Sequence, residues 1–150
     1  VDVGAHDGRS GSNTLHLETT LNWNGVLIEP ILHNYFRCRE IRSHEKNLFF
    51  CCACVENEFP HSEIQMFYSN KMSTLNRTNL RFDPQKWAEN GSNFLLSNEH
   101  VIKTWAEART LNSILEEAEA PRVLDFLSID VEGSEYAVLN GLDLNQFRFK

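Results

Sequence analysis

Two carboxylates, Asp130 and Glu132, stand at the end of an apolar run from Phe126 to Val131, with Gly133 and a third carboxylate, Glu135, just beyond. Side chains of this type at such a place can act as general bases, bind a cation, or hold a substrate ammonium or hydroxyl. Ser134 opens a short helical pattern, Glu135 to Asn140, that Gly141 stops. Glu135 falls in the first turn of that helix, where a carboxylate is favourable for structural reasons alone. Asp130 is expected at the end of a buried strand, where a charge is costly unless paired or used. A further acidic residue, Glu29, follows Val26-Leu27-Ile28. It lies about 20 residues past a glycine turn, a spacing at which a carboxylate can accept both hydroxyls of a ribose. The same position also suits a solvated strand end. The turn itself is Asp2-Val3-Gly4-Ala5-His6-Asp7-Gly8. Glycines after a first strand let the backbone approach a ligand, although such a turn often serves only as a tight connection.

These residues need elements to position them. Val1 to Val3 reads as a short strand, and a helix fits from about Asn13, with Leu17 and Leu21 one turn apart and Trp23-Asn24-Gly25 ending it. Val26 to Ile28 reads as a second strand. Ile31, Tyr35 and Cys38 mark a second helix, and Asn47 to Val55 a third strand. Strand, helix, strand, helix, strand in this order predicts an α/β fold with a parallel sheet. Glu63 to Tyr68 alternates like a strand, and Val101 to Ala108 reads as another, antiparallel to it. Residues 69–97 are expected to be loop with one short helix, and a loop that long is usually functional or mobile. Leu111, Ile114, Leu115 and Ala118 form an apolar helix face, after which come the Phe126 strand, the Ser134 helix and a partial strand at Phe147 to Lys150.

The chain has 150 residues, enough for one domain with a proper core. A net charge of −7 argues against a general nucleic-acid or anionic-membrane binder. No apolar run is long enough to span a membrane, and the default expectation is a cytoplasmic location. The chain begins without Met, inside a strand-like run, and ends in another, so it reads as an excerpt of a longer protein. Cys51, Cys52 and Cys54 share one apparent strand, where alternation sends Cys51 to the face opposite the other two. With Cys38 they read as thiols, not as a zinc site or a disulfide framework. His6, His16, His33, His44, His61 and His100 show no metal-ligand spacing. His6 or His100 could serve as a general base, and Trp87 or Trp105 could line a pocket; surface or core roles are the commoner uses. The triplets Asn76-Arg77-Thr78 and Asn90-Gly91-Ser92 match the glycosylation pattern by chance. Neither the G-x-G-x-x-G fingerprint nor a P-loop is present.

Five segments in order then carry a resemblance: Val1 to Gly8, Gly11-Ser12-Asn13-Thr14, Trp23 to Pro30, Arg109 to Leu115, and Asp125 to Glu135 followed by Val138-Leu139-Asn140-Gly141. The chain resembles the FkbM-type branch of the S-adenosylmethionine-dependent methyltransferases, with residues 56–100 matching least. The resemblance implies a Rossmann-like class I fold, with a mostly parallel sheet flanked by helices and the usual last strands beyond Lys150. Asp2, Gly4, Ala5, Asp7 and Gly8, with Asn13, would wrap the methionine part of the cofactor. Glu29, beside Pro30, would bind the ribose, and residues around Ala53 to Val55 would line the adenine. Asp130 and Glu132 would face the sulfonium and the incoming nucleophile, as catalytic residues. Ser128 departs from the Lys that many relatives carry there, and marks the subtype with the Gly-x-x-Gly-Ser-Asn-Thr run. The implied activity is O-methylation of a small molecule or glycan. A divalent cation is possible near Asp130 and Glu132 but not required. The alternatives are a non-catalytic interaction module and a nicotinamide-dependent oxidoreductase; the missing third glycine counts against the latter.

Overall fold

The structure is a computed structural model that describes residues 1–78 and 80–150; Asn79, inside the loop expected over 69–97, lies outside the described residues. The first sheet contains β1 (Asp2–Val3), β2 (Gly25–Ile28), β3 (Asn47–Phe50) and β9 (Ser128–Ile129), in the order β3-β2-β1-β9 and parallel throughout. Asp2 stands between Leu27 and Ser128, and Val3 between Ile28 and Ile129. Helices α1 (Leu15–Leu21) and α2 (Leu32–Ile41) make the crossovers. Val26, Leu27 and Ile28 are all buried, which is why β2 is a continuous apolar run: a parallel strand is covered on both faces.

The expected strand over Asn47 to Val55 is two strands. β3 keeps pairing with β2 as far as Phe50, whose carbonyl accepts from Glu29 N. The chain then bends at Cys51 and Cys52, and β4 (Ala53–Val55) joins a second sheet. That sheet has the order β4-β7-β5-β6, with β5 (Glu63–Tyr68), β6 (Thr74–Leu75) and β7 (Ile102–Thr110). β7 is parallel to β4 and antiparallel to β5. Strand alternation explains the break's residues. Cys52 and Cys54 enter the core under the first sheet with Leu111, Ile114 and Leu115, while Ala53 and Val55 enter the core with Ile64 and Met66. All the cysteines are free thiols, and burial pushes Cys38 and Cys52 up to about 12.

Among the described residues, 69–97 hold more order than expected: a 3-10 turn at Asn70–Met72, β6, α3 (Pro84–Asn90) and a second 3-10 turn at Gly91–Phe94. Asp83 caps α3 by accepting from Gln85 N and Lys86 N at 3.0 and 3.1 Å, with Pro84 at the first helical position. Thr110 caps α4 (Leu111–Glu117) through Ser113 N. β8 (Val123–Leu124), absent from the sequence reading, pairs in parallel with β10 (Arg148–Phe149).

Two expectations around α5 (Glu135–Asn140) fail. Ser134 makes no side-chain cap; its hydroxyl is buried without a protein partner, and Glu135 Oε1 instead accepts from Gly133 N at 3.1 Å. The strand expected from Phe126 to Val131 pairs only at Ser128–Ile129, and Asp130 is exposed, not buried. Pairing with β1 ends at Ile129, so Asp130 falls on the loop beyond β9, at the cavity.

On the face of the first sheet that carries α1 and α2, a buried polar network fixes the loop after β1. Arg42, at the end of α2, pairs with Glu18 of α1; their side chains are 2% and 7% exposed. Arg42 Nη1 also reaches Thr14 Oγ1 at 3.2 Å, and Thr14 donates to Asp2 Oδ2 at 2.6 Å. Burial opposes the Glu18 carboxylate, yet hydrogen bonds from Ser43 N, Arg42 and Asn47 hold its pKa below the ordinary value. Replacing Arg42 with Ala would leave Glu18 buried and unpaired. The expected loss is about 3–5 kcal/mol of unfolding free energy by urea titration, and a loss below about 1 kcal/mol would contradict this role.

Candidate functional site

The first sheet changes direction between β1 and β9. From β1 the chain steps outward to β2 and β3 on one side, and only β9 returns on the other. A crevice opens at the carboxyl ends of strands wherever such a reversal occurs. Here it is a cavity of about 440 Å³, within the roughly 300–1,000 Å³ common for small-molecule sites. Its floor comes from Gly4, Ala5 and His6 after β1, Glu29, Pro30 and Ile31 after β2, and Asp130, Val131 and Glu132 after β9. Cys52 to Cys54 close one end and Ser10 to Asn13 another. Asn70 to Leu75, Met66, Trp87 and Phe94 cover it.

Most of the sequence-predicted residues are therefore brought together: Asp2, Gly4, Ala5, Asn13, Glu29, Pro30, Ala53, Asp130 and Glu132 all line this cavity. Asp7 and Gly8 stand outside its lining. Asp7 instead closes the loop on itself, accepting from Arg9 N, Ser10 N and Ser10 Oγ. Burial opposes its ionisation, but those donors, led by Ser10, hold its pKa at about 2. Gly8 packs against Cys38 and Arg42 of α2. Gly4 has a role the sequence did not show. Its φ is +87°, and a Cβ there would lie 2.0 Å from the Asp130 carbonyl oxygen. The missing side chain thus lets β1 and β9 come together at the switch point, more than it admits a ligand.

Glu29 is only 6% exposed. Its Oε2 accepts from His6 N and its Oε1 from Ile31 N, both at 2.9 Å. Burial raises its pKa to about 7 despite those donors. Asn34, buried on α2, has an amide Nδ2 that favours the Glu29 anion but forms no geometric hydrogen bond. Asp2 is also raised, by burial first, against the Thr14 hydroxyl and Arg42.

Asp130 and Glu132 differ. Asp130 is exposed, whereas Glu132 is half-buried and its Oε2 accepts from Trp87 Nε1 at 3.1 Å. Burial, then the Asp130 charge, raises the Glu132 pKa. His6 holds a left-handed backbone (φ +49°), and its Nε2 lies 3.0 Å from Asn70 Oδ1. Asn70 Nδ2 donates to Glu99 Oε2, which leaves its Oδ1 as the atom turned to His6. Asn13 Nδ2 donates to Ser128 Oγ at 3.1 Å, a direct contact between two of the segments that carried the resemblance.

Sequence reasoning missed Asn70, Thr74, Met72 and Phe94, which arrive from the irregular middle of the chain, where no periodicity marks them. Trp87 does line the cavity, while Trp105 is 61% exposed on β7. Among the described residues no group of His, Cys, Asp or Glu side chains is placed to hold a metal ion, and no helix is long and apolar enough to cross a membrane.

A family model described as the methyltransferase FkbM domain matches residues 2–150. The chain belongs to the FkbM methyltransferase domain family. No curated protein and no solved structure matches it. The match fits the α/β architecture seen here, a parallel sheet and a mixed sheet with helices.

Glu29 gives a pH signature of folding. Its pKa rises from 4.5 in the unfolded chain to about 7 in the fold, so between these values the native state binds more protons and stability falls as pH rises. Glu29→Gln removes that dependence. The stability of wild type relative to Glu29→Gln should fall by about 3 kcal/mol between pH 4.5 and pH 8, read by urea unfolding. Parallel curves for the two proteins would contradict the burial of this carboxylate.

Proposed function

We infer that this FkbM domain transfers a methyl group from S-adenosylmethionine to a hydroxyl of a small molecule or sugar. The observation that carries the reading is Glu29: a desolvated carboxylate at the end of the second strand, facing the cavity at the sheet's switch point. Each of its oxygens has accepted one backbone N–H and keeps a lone pair for a donor such as a ribose hydroxyl. The parallel order β3-β2-β1-β9 supports a Rossmann-like class I arrangement.

The residues present fit the cofactor. Glu29 would take the ribose hydroxyls, Ala53 and Ile31 offer apolar walls for a base, and Gly4 to His6 with Asn13 surround the remaining end. S-adenosylmethionine supplies a methyl carbon made electrophilic by positive sulfur. Asp2, Glu29, Asp130 and Glu132 make the cavity acidic, which suits a cation. The acceptor then needs alignment and loss of its hydroxyl proton. Glu132 is the better suited of the two carboxylates on the β9 loop to hold that proton, because burial raises its pKa while Asp130 is exposed. Asp130, beside it, favours the protonated form of Glu132.

Labelled methyl transfer from S-adenosylmethionine to a panel of hydroxylated acceptors tests the reading. Glu132→Gln should cut turnover by about 10²-fold or more while S-adenosylhomocysteine still binds. Glu29→Ala should weaken that binding by about 1–3 kcal/mol through lost charged hydrogen bonds. Full activity in the first variant removes Glu132 from the chemistry, and unchanged affinity in the second removes the ribose assignment.

A further inference from the structure

Glu132 is reached from across the cavity. Trp87, on α3, donates its indole N–H to Glu132 Oε2, and Thr74 Oγ1 donates to the Glu132 backbone carbonyl at 2.8 Å. The Trp87 ring is stacked on Phe82, with centroids 4.5 Å apart and an interplanar angle of 24°. Phe82 in turn lies against Gly133, where a Cβ would meet the ring at 2.6 Å and φ is +100°. Glu132 itself has φ +51°, a conformation that a non-glycine residue keeps only when its surroundings hold it. Thr74 of β6, Phe82 and Trp87 of α3 thus grip one residue through its carbonyl, the glycine after it and its side chain. Glu132 Oε1 accepts no hydrogen bond among the described residues.

We propose that Trp87 is the positioning residue for Glu132: its N–H fixes Oε2, leaving Oε1 as the oxygen free to take a proton from the acceptor. The proposal rests on the reading of Glu132 as the proton-accepting group. A carboxylate free to rotate would share its two oxygens among solvent, backbone and substrate, and a fixed one presents a single lone-pair direction. The indole is suited to this because it donates and cannot accept, so it favours the anion and leaves the proton to the other oxygen. The other charged groups around Glu132 are carboxylates, Asp130 on its own loop and Glu135 on α5; Lys71 and His6 line the same cavity. Trp87 is therefore the neutral donor that offsets two like charges.

The test is a pH titration by NMR, following the Glu132 side-chain carboxyl carbon and the Trp87 indole N–H together. In the wild-type chain both signals should move with one midpoint, above the ordinary glutamate value. In Trp87→Phe, which keeps an aromatic ring against Phe82, the Glu132 midpoint should rise further, by about one pH unit, a tenfold change in proton affinity. With an acceptor in hand, the acidic limb of kcat should move by the same amount. A Glu132 midpoint that Trp87→Phe does not move, in a sample whose remaining amide spectrum is unchanged, overturns the positioning role alone. So does a wild-type indole signal that ignores the Glu132 titration, a result that needs no variant. Retained turnover in Glu132→Gln instead overturns the base reading beneath it.

Discussion

One buried carboxylate organises the site. Glu29 accepts a backbone N–H from the β1 loop at His6 and another from its own loop at Ile31. It thereby ties the carboxyl ends of β1 and β2 to a common point, and does so at a cost, because burial lifts its pKa to about 7. The buried Glu18–Arg42 pair holds the same loop from α1 and α2, through Thr14 and Asp2. His6 accepts a left-handed backbone, and Asp7 folds back on Ser10.

The floor of this site was legible in the chain. Val26-Leu27-Ile28 ending in Glu29 needs only the buried parallel strand to place the carboxylate, and that strand formed. The same logic misjudged Asp130. An apolar run from Phe126 to Val131 looks like one strand, but pairing stops at Ile129, so Asp130 falls on the exposed loop beyond it. Sequence pattern reports which residues are apolar, not how far pairing runs. The break at Cys51 and Cys52 was hidden for a related reason: both halves are apolar, and only tertiary pairing assigns them to different sheets. The cover was least legible, because Asn70, Thr74 and Trp87 reach the cavity through turns and short elements without a repeat.

The two sheets divide the work. The parallel sheet supplies Glu29, Gly4 and the Asp130–Glu132 loop, and the mixed sheet with α3 supplies the wall that faces them. Polar contacts across the gap join His6 to Asn70, Thr74 to the Glu132 carbonyl and Trp87 to the Glu132 carboxylate, beside the Phe82 ring that lies against Gly133. Polar contacts of this kind fix orientation more than they add stability, since each replaces a hydrogen bond to water. They explain why an irregular segment can hold a defined position over a reactive group.

The central claim is that Glu29 is the anchor for a ribose-bearing cofactor in this FkbM domain. Hydroxyls donating to its carboxylate would favour the anion, so its pKa should drop when the cofactor binds. Calorimetric titration with S-adenosylhomocysteine at about pH 6, in buffers of different ionisation heat, reads that proton directly. The account predicts tight binding with release of most of one proton, release that vanishes at about pH 8.5 and in Glu29→Gln, and no binding of NAD. Binding without proton release, or binding of NAD in place of S-adenosylhomocysteine, would contradict it.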